Sequence, residues 1–341
     1  MAESSKRTIF LTGASGVIGR ALLEKLEGHP LLCLVRQTPL THPGLTTLHG
    51  DISLPRFGWS SEQWAAVVSR IDCVVHAAAV TDFHLPDAVV MEANVAALEN
   101  VFELAAAANV PLYHFSTAFV RPPRNRGNGD ELAYAVSKRE GERLVRESGL
   151  PHVILRPSMV IGDSATGEIA RFQAFHSVLG GVLNGLLPVF PGSPSAFVDC
   201  IPQDVVAETL RALIDSGTTS GEYWLTAGQQ ALTIARIGEL LEQFVAGLGG
   251  SFTRPRIVSP DVVERLLLPV FFPALPLSLQ KRFEHLLKVS SYLFIDDHFP
   301  CSMPELASRL DLPTFPGLEV SVLRSLTHWA SVSGFAKRAA A

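Results

Sequence analysis

Hydrophobic positions along the first 160 residues switch repeatedly between two spacings. Short unbroken apolar runs at residues 8–12, 31–35, 45–48, 71–75, 112–115 and 152–155 predict strands, the last stopped by Pro157. Between them, residues 17–27, 62–69, 88–108 and 133–147 space their apolar side chains three and four apart and predict helices. Strands that are apolar throughout, rather than alternating, belong in a parallel sheet covered on both faces. The expected fold class is therefore α/β with a doubly wound parallel sheet, whose ligand lies at the carboxyl ends of the strands.

After Gly162 the rhythm changes. Glycine and proline cluster between residues 180 and 194, and residues 197–201 and 223–226 read as short strands returning to the first sheet. From Thr233 the chain is mainly helical and broken by prolines. This predicts a larger domain over 1–228, with 164–195 as an excursion toward the substrate side, and a smaller helical lobe over 229–341. One stretch, 266–279 (LLLPVFFPALPLSL), is apolar apart from Ser278. It is too short to span a bilayer, and its three prolines would interrupt a helix. It reads as a buried helix–turn segment, or as an apolar channel wall or peripheral membrane contact.

Composition narrows the class. With 47% hydrophobic and 18% charged residues in 341, the chain has the makings of a large core and not of a disordered segment. A net charge of −5 without a polybasic run argues against nucleic acid. Residues 1–7 are polar and lead into a short strand with no signal-peptide core, which favours a cytoplasmic location. Cys33, Cys73, Cys200 and Cys301 are scattered without a CxxC pair, and the eleven histidines form no HExxH, so no metal is expected.

The first chemical signal is Thr12-Gly13-Ala14-Ser15-Gly16-Val17-Ile18-Gly19, joining the first strand to the first helix. Its glycines fall three apart rather than as GxGxxG. The physics is shared: Gly13 permits a tight turn, Gly16 lets backbone approach a pyrophosphate, and Gly19 lets the helix pack closely. After the second strand, where an NAD enzyme needs an acid for the ribose hydroxyl, stands Arg36, with Arg20 directly after the last glycine. Two guanidinium groups suit a 2′-phosphate, so NADP(H) is expected over NAD(H). Asp51, with Ile52 beside it, follows Gly50 at a strand end and is placed to reach an adenine amino group. His76 ends the fourth strand as a packed residue, and Ala77, Ala78 and Ala79 leave bare backbone for the cofactor ribose.

The second signal is Tyr134 and Lys138, four apart in YAVSK on one helix face. An ammonium beside a phenol favours the phenolate, so the tyrosine is expected to titrate below its ordinary value and serve as proton donor. Ser116 and Thr117, at the end of the fifth strand, offer hydroxyls to the same developing oxyanion.

In this order and spacing the chain resembles the extended short-chain dehydrogenase/reductases. TGASGVIG, HAAA, Asn94-Val95, YAVSK and RPSMVIG carry the likeness. GDISLPRFGWS, VVHAAAVTDF, FSTAFV and RPSMVIGDSATGEI point to the thioester reductase and fatty acyl-CoA reductase branch, over roughly residues 8–230. The resemblance implies a catalytic triad of Thr117, Tyr134 and Lys138, with Lys138 also on the nicotinamide ribose and Pro157, Ser158 and Met159 bordering the nicotinamide. It implies NADPH-dependent reduction of an acyl thioester to an aldehyde, or onward to an alcohol. Branch members end multienzymes, whereas this chain stands alone without a carrier serine motif, so a separate acyl-CoA or acyl carrier protein is the expected donor. Rival readings are a nucleotide-sugar epimerase or dehydratase retaining NAD, a ketone reductase, and a non-catalytic NADP-sensing protein. Arg36 argues against the first, and the intact Tyr–Lys pair against the last. A serine hydrolase is not supported, because Gly162-Asp163-Ser164-Ala165-Thr166 misses GxSxG.

Overall fold

The computed structural model describes residues 6–82, 85–122, 131–187, 189–259, 262, 263, 265, 268–271, 273, 277, 280 and 294–339. Seven strands form one parallel sheet: β1 (Ile9–Thr12), β2 (Leu31–Val35), β3 (Leu45–His49), β4 (Cys73–His76), β5 (Leu112–Phe115), β6 (His152–Pro157) and β11 (Gly221–Leu225). Their order is β11-β6-β5-β4-β1-β2-β3, so the chain reverses direction across the sheet between β1 and β4. Thr12 lies opposite His76 at that switch, which opens a crevice outside the carboxyl ends. Pro157 is the last residue of β6, paired with Leu225 of β11, and closes the strand rather than preceding its end.

The two-residue period of each strand divides the core between two faces. Ile9 and Leu11, Leu31 and Cys33, Val153 and Leu155 point into one cluster, which also takes Leu22 and Leu26, and Val206 and Leu210. Those come from the side of α1 (Val17–Lys25) and α7 (Gln203–Asp215), which pack together. Phe10, Leu32, Val74, Leu112 and Ile154 point the other way, against α2 (Ser61–Val68), α4 (Leu98–Ala108) and α5 (Ala133–Glu147). Under that face Phe57 packs within 6.0 Å of Phe10, Trp59 and Trp64.

The helix expected over 88–108 is not continuous. It consists of α3 (Asp87–Met91), a π-helical turn Glu92–Ala96, and α4. The cause is Asn94, whose buried amide accepts from the Val80 N–H at 2.7 Å and donates to the Val80 carbonyl at 3.0 Å and the Ser137 hydroxyl at 3.0 Å. Widening the helix by one residue aims this side chain at the strand-end backbone and at α5.

A second core lies beyond the sheet. It gathers β7 (Met159–Ile161), α6 (Ala174–Leu183), β8 (Val189–Pro191), β9 (Phe197–Val198), β10 (Cys200–Pro202), β12 (Leu232–Thr233) and α8 (Ile234–Gly247), together with helix Leu318–Val332. Strand β13 (Arg256–Val258) pairs with β8. Much of the apolar stretch 266–279, Phe272 included, lies outside the described residues; Val270 and Leu277, which are described, are exposed. No described helix is long and apolar enough to cross a membrane.

Candidate active site

Strand-to-helix turns build the first wall of the crevice. Gly13 has φ +76, and a Cβ there would sit 2.4 Å from the Ala78 nitrogen and 2.5 Å from the Ala77 carbonyl carbon. The turn is thus pressed onto the HAAA backbone, and only glycine fits. At Gly19 a Cβ would meet the Gly13 oxygen at 2.1 Å, so the first turn of α1 folds back on the loop. No side chain caps α1, whose N-terminal Gly16, Val17 and Ile18 line the crevice. A helix start whose N–H groups are left to an outside partner is a fit for a dinucleotide's pyrophosphate.

The opposite wall carries the polar chemistry. The crevice, about 220 Å³, is bounded there by Ser116, Thr117, Tyr134, Lys138, Pro157, Ser158 and Met159, with Ala77 and Ala79 beneath. Lys138 is 4% exposed and donates to the Phe115 carbonyl at 2.8 Å. Burial brings its ammonium down to about 8, a fall that Glu142 opposes. Glu142, one helical turn further on, is itself buried and takes both Arg156 nitrogens at 2.7 Å and an Arg146 nitrogen at 2.8 Å. The Ser116 hydroxyl is buried with no partner among the described residues, a donor left for something that enters the crevice.

Tyr134 corrects the expected titration. Its hydroxyl is pushed up to about 12 by enclosure, and the hydrogen bond it shares with Thr117 only partly offsets that. Burial, not the neighbouring lysine, sets the direction of this shift; the Lys138 ammonium donates to the Phe115 carbonyl at 2.8 Å. The phenol therefore keeps its proton at neutral pH.

Other residues read from the sequence lie around this crevice rather than in it. Thr12 and His76 bond to each other at 2.8 Å, and the Thr12 hydroxyl also accepts from the Ala78 N–H at 3.3 Å, which sets the strand ends. Burial lowers His76 to about 3, so it is a neutral packing group. Asn94 stays behind the wall, tying Val80 to Ser137, whose hydroxyl in turn bonds the Tyr134 carbonyl at 2.8 Å. Arg36 is well exposed and pairs with Asp51 at 3.7 Å, while Ser53 donates twice to the same carboxylate. Gly13, Ser15, Gly19, Arg20, Ile52 and Ala78 also lie outside the lining.

The lining adds residues that carried no assigned role in the sequence reading: Thr81, Phe119, Leu132, Val160, Arg171, Gln173 and Ala174. Among the described lining residues Arg171 is the only cation besides Lys138. The available signal was position, two residues past the RPSMVIGDSATGEI motif. Among the described residues no group of histidine, cysteine, aspartate and glutamate is arranged to hold a metal ion.

Comparison with known proteins agrees with this architecture. The profile of the male sterility protein family matches residues 40–210. The hybrid PKS-NRPS synthetase pvhA of Talaromyces variabilis is 30% identical over 234 residues, covering 62% of this chain and 6% of the synthetase. The chain thus spans a small fraction of that relative's length. The terminal R domain from the myxalamid PKS-NRPS pathway superimposes with a TM-score of 0.78 at 23% identity, covering 97% of this chain and 92% of the domain. A thiolation-reductase di-domain from an archaeal non-ribosomal peptide synthetase gives 0.73 at 16% identity, covering 97% and 76%.

Proposed function

The chain belongs to the male sterility protein family of extended short-chain dehydrogenase/reductases, an NAD(P)-binding oxidoreductase family, and we propose that it uses NADPH to reduce an acyl thioester to an aldehyde. The observation that carries this reading is the hydrogen-bonded pair of Tyr134 and Thr117 at the crevice, with buried Lys138 one turn below. The synthetase and reductase-domain relatives support the thioester as the carbonyl presented to it.

The residues divide the work by position. The turn from Thr12 to Gly19, including Ser15, holds the pyrophosphate; Arg20 and Arg36 take the 2′-phosphate; Asp51 and Ile52 border the adenine. Ala77, Ala78, Ala79 and Ser116 line the ribose, which Lys138 grips, and Pro157, Ser158 and Met159 border the nicotinamide. When bound, NADPH supplies the hydride, which no side chain can. Tyr134 and Thr117 donate to the oxygen of the reacting carbonyl, whose negative charge grows toward the transition state. Tyr134, protonated at neutral pH, then gives that oxygen its proton; the C–S bond of the resulting hemithioacetal breaks, the hydroxyl proton passes to the departing sulfur, and aldehyde and free thiol are released. Asn94 acts as a positioning residue, fixing the first turn of α5 and hence the height of the phenol.

The thioester arrives on coenzyme A or an acyl carrier protein; one structural neighbour is a reductase joined to a thiolation domain. Three buried free cysteines suit a reducing, cytoplasmic setting. The test is NADPH oxidation against acyl-CoA, acyl-pantetheine, free aldehydes and nucleotide sugars. Thioester turnover is expected, with aldehydes reporting any onward reduction to alcohol. Tyr134→Phe should cut turnover by about a hundredfold or more while NADPH still binds. Turnover of nucleotide sugars alone, or near-normal rates in Tyr134→Phe, overturns the reading.

A further inference from the structure

The second core contains a pocket of about 270 Å³ that the reaction described above does not use. Phe175, Val178 and Phe190 face Ile237, Leu241 and Phe294 across it. Among the described lining residues the one charged side chain is Arg254, half-exposed and already paired with Glu242. A pocket with so little polar lining selects a hydrocarbon.

This pocket and the crevice share walls, lined by consecutive residues of α6 and by neighbouring short strands. Gln173 and Ala174 line the crevice, and Phe175, the next residue along α6, lines the pocket. On the other side Met159 of the crevice donates its N–H to the Asp199 carbonyl at 3.4 Å, and the preceding residue, Val198, lines the pocket. The pocket thus begins where the α6 wall of the crevice ends, one residue beyond Ala174.

We infer that the pocket between α6, α8, β8 and β13 receives the distal end of the acyl chain, so that medium-length saturated acyl thioesters are the preferred substrates. The inference rests on the thioester reading. A cavity of about 150 Å³ holds a six-carbon ring, so the volume here corresponds to about eight to ten carbons. Each methylene that enters should raise kcat/KM by about fourfold until the pocket is full.

Gly238 provides a test that leaves the fold undisturbed. It lines the pocket from α8, and a Cβ there would meet only the Arg254 side chain, at 3.6 Å. Acyl-pantetheines from two to sixteen carbons are assayed with the full chain and NADPH, in the wild type and in Gly238→Leu. The wild type should climb to about ten carbons and then level off. Gly238→Leu should keep four-carbon turnover within about twofold and lose about tenfold or more at ten carbons. Val178→Phe fills the same space from α6 and should reproduce the pattern. Calorimetric titration of decanoyl-pantetheine into the cofactor-free protein reads the pocket without turnover, and Gly238→Leu should weaken it by a similar factor. A flat chain-length profile, or variants that slow every length alike, overturns the pocket while leaving thioester reduction intact. If no thioester of any length is turned over although aldehydes are, the thioester reading fails and the inference falls with it.

Discussion

Replacing Lys138 with methionine should make the cofactor-free protein more stable and inactive at once. The side chain is 4% exposed, and its ammonium is brought from 10.5 to about 8 by burial. That difference corresponds to about 3 kcal/mol of strain against folding while the group is charged. Methionine fills a similar volume without the charge. It forfeits the hydrogen bond to the Phe115 carbonyl, a loss of about 1 kcal/mol, leaving a net gain of about 2 kcal/mol at pH 7. Between pH 8 and 10.5 the unfolded chain holds a proton that the folded one has released. Wild-type stability therefore rises by about 3 kcal/mol across that window, and the advantage of Lys138→Met falls through zero to a deficit of about 1 kcal/mol, the lost hydrogen bond. Urea unfolding at pH 7 and pH 10.5, followed by tryptophan fluorescence, measures both values, and NADPH oxidation measures the lost turnover. Other titrating groups are common to both proteins, so the difference isolates this lysine. A variant less stable than wild type at pH 7, or a gain that does not change with pH, would refute the buried-ammonium argument.

Arg36→Asp should weaken NADPH about ten- to a hundredfold and improve NADH, because it removes a partner for the 2′-phosphate and sets a second carboxylate beside Asp51; cofactor titration of the purified variant checks it, and an unmoved preference ratio refutes it. The stacked pair His76 and His114 should make the protein acid-labile, since burial lowers the first to about 3 and the second well below its ordinary value. Both are neutral when folded, so their share of stability is complete above pH 6.5 and is lost as pH falls toward 3. His114→Leu should flatten that loss at no cost near pH 7, its ring nitrogens having no partner among the described residues; melting temperatures from pH 4 to 8 decide it.

How much of this was legible in the sequence depended on how far apart the causes lie. The sheet was legible because its central strands advertise burial on both faces within four to six residues, as in Ile9–Thr12 and Cys73–His76. The meeting of Tyr134 and Lys138 at one crevice was legible because YAVSK sets them four apart on one helix face. The π turn was not, since Asn94 is drawn out of register by Val80 and Ser137, 14 and 43 residues away. Nor was the titration of Tyr134, for the spacing shows Lys138 but not the protein that encloses the phenol or the carbonyl that engages the ammonium. The pocket was hidden most deeply: its walls come from segments between Phe175 and Phe294 that carry no motif. Local motifs thus encode the hydride chemistry, and long-range packing encodes the space beside it. On the proposed thioester reading, substitutions at Val178 or Gly238 should retune which acyl chain is accepted while every signature in the first 160 residues stays unchanged.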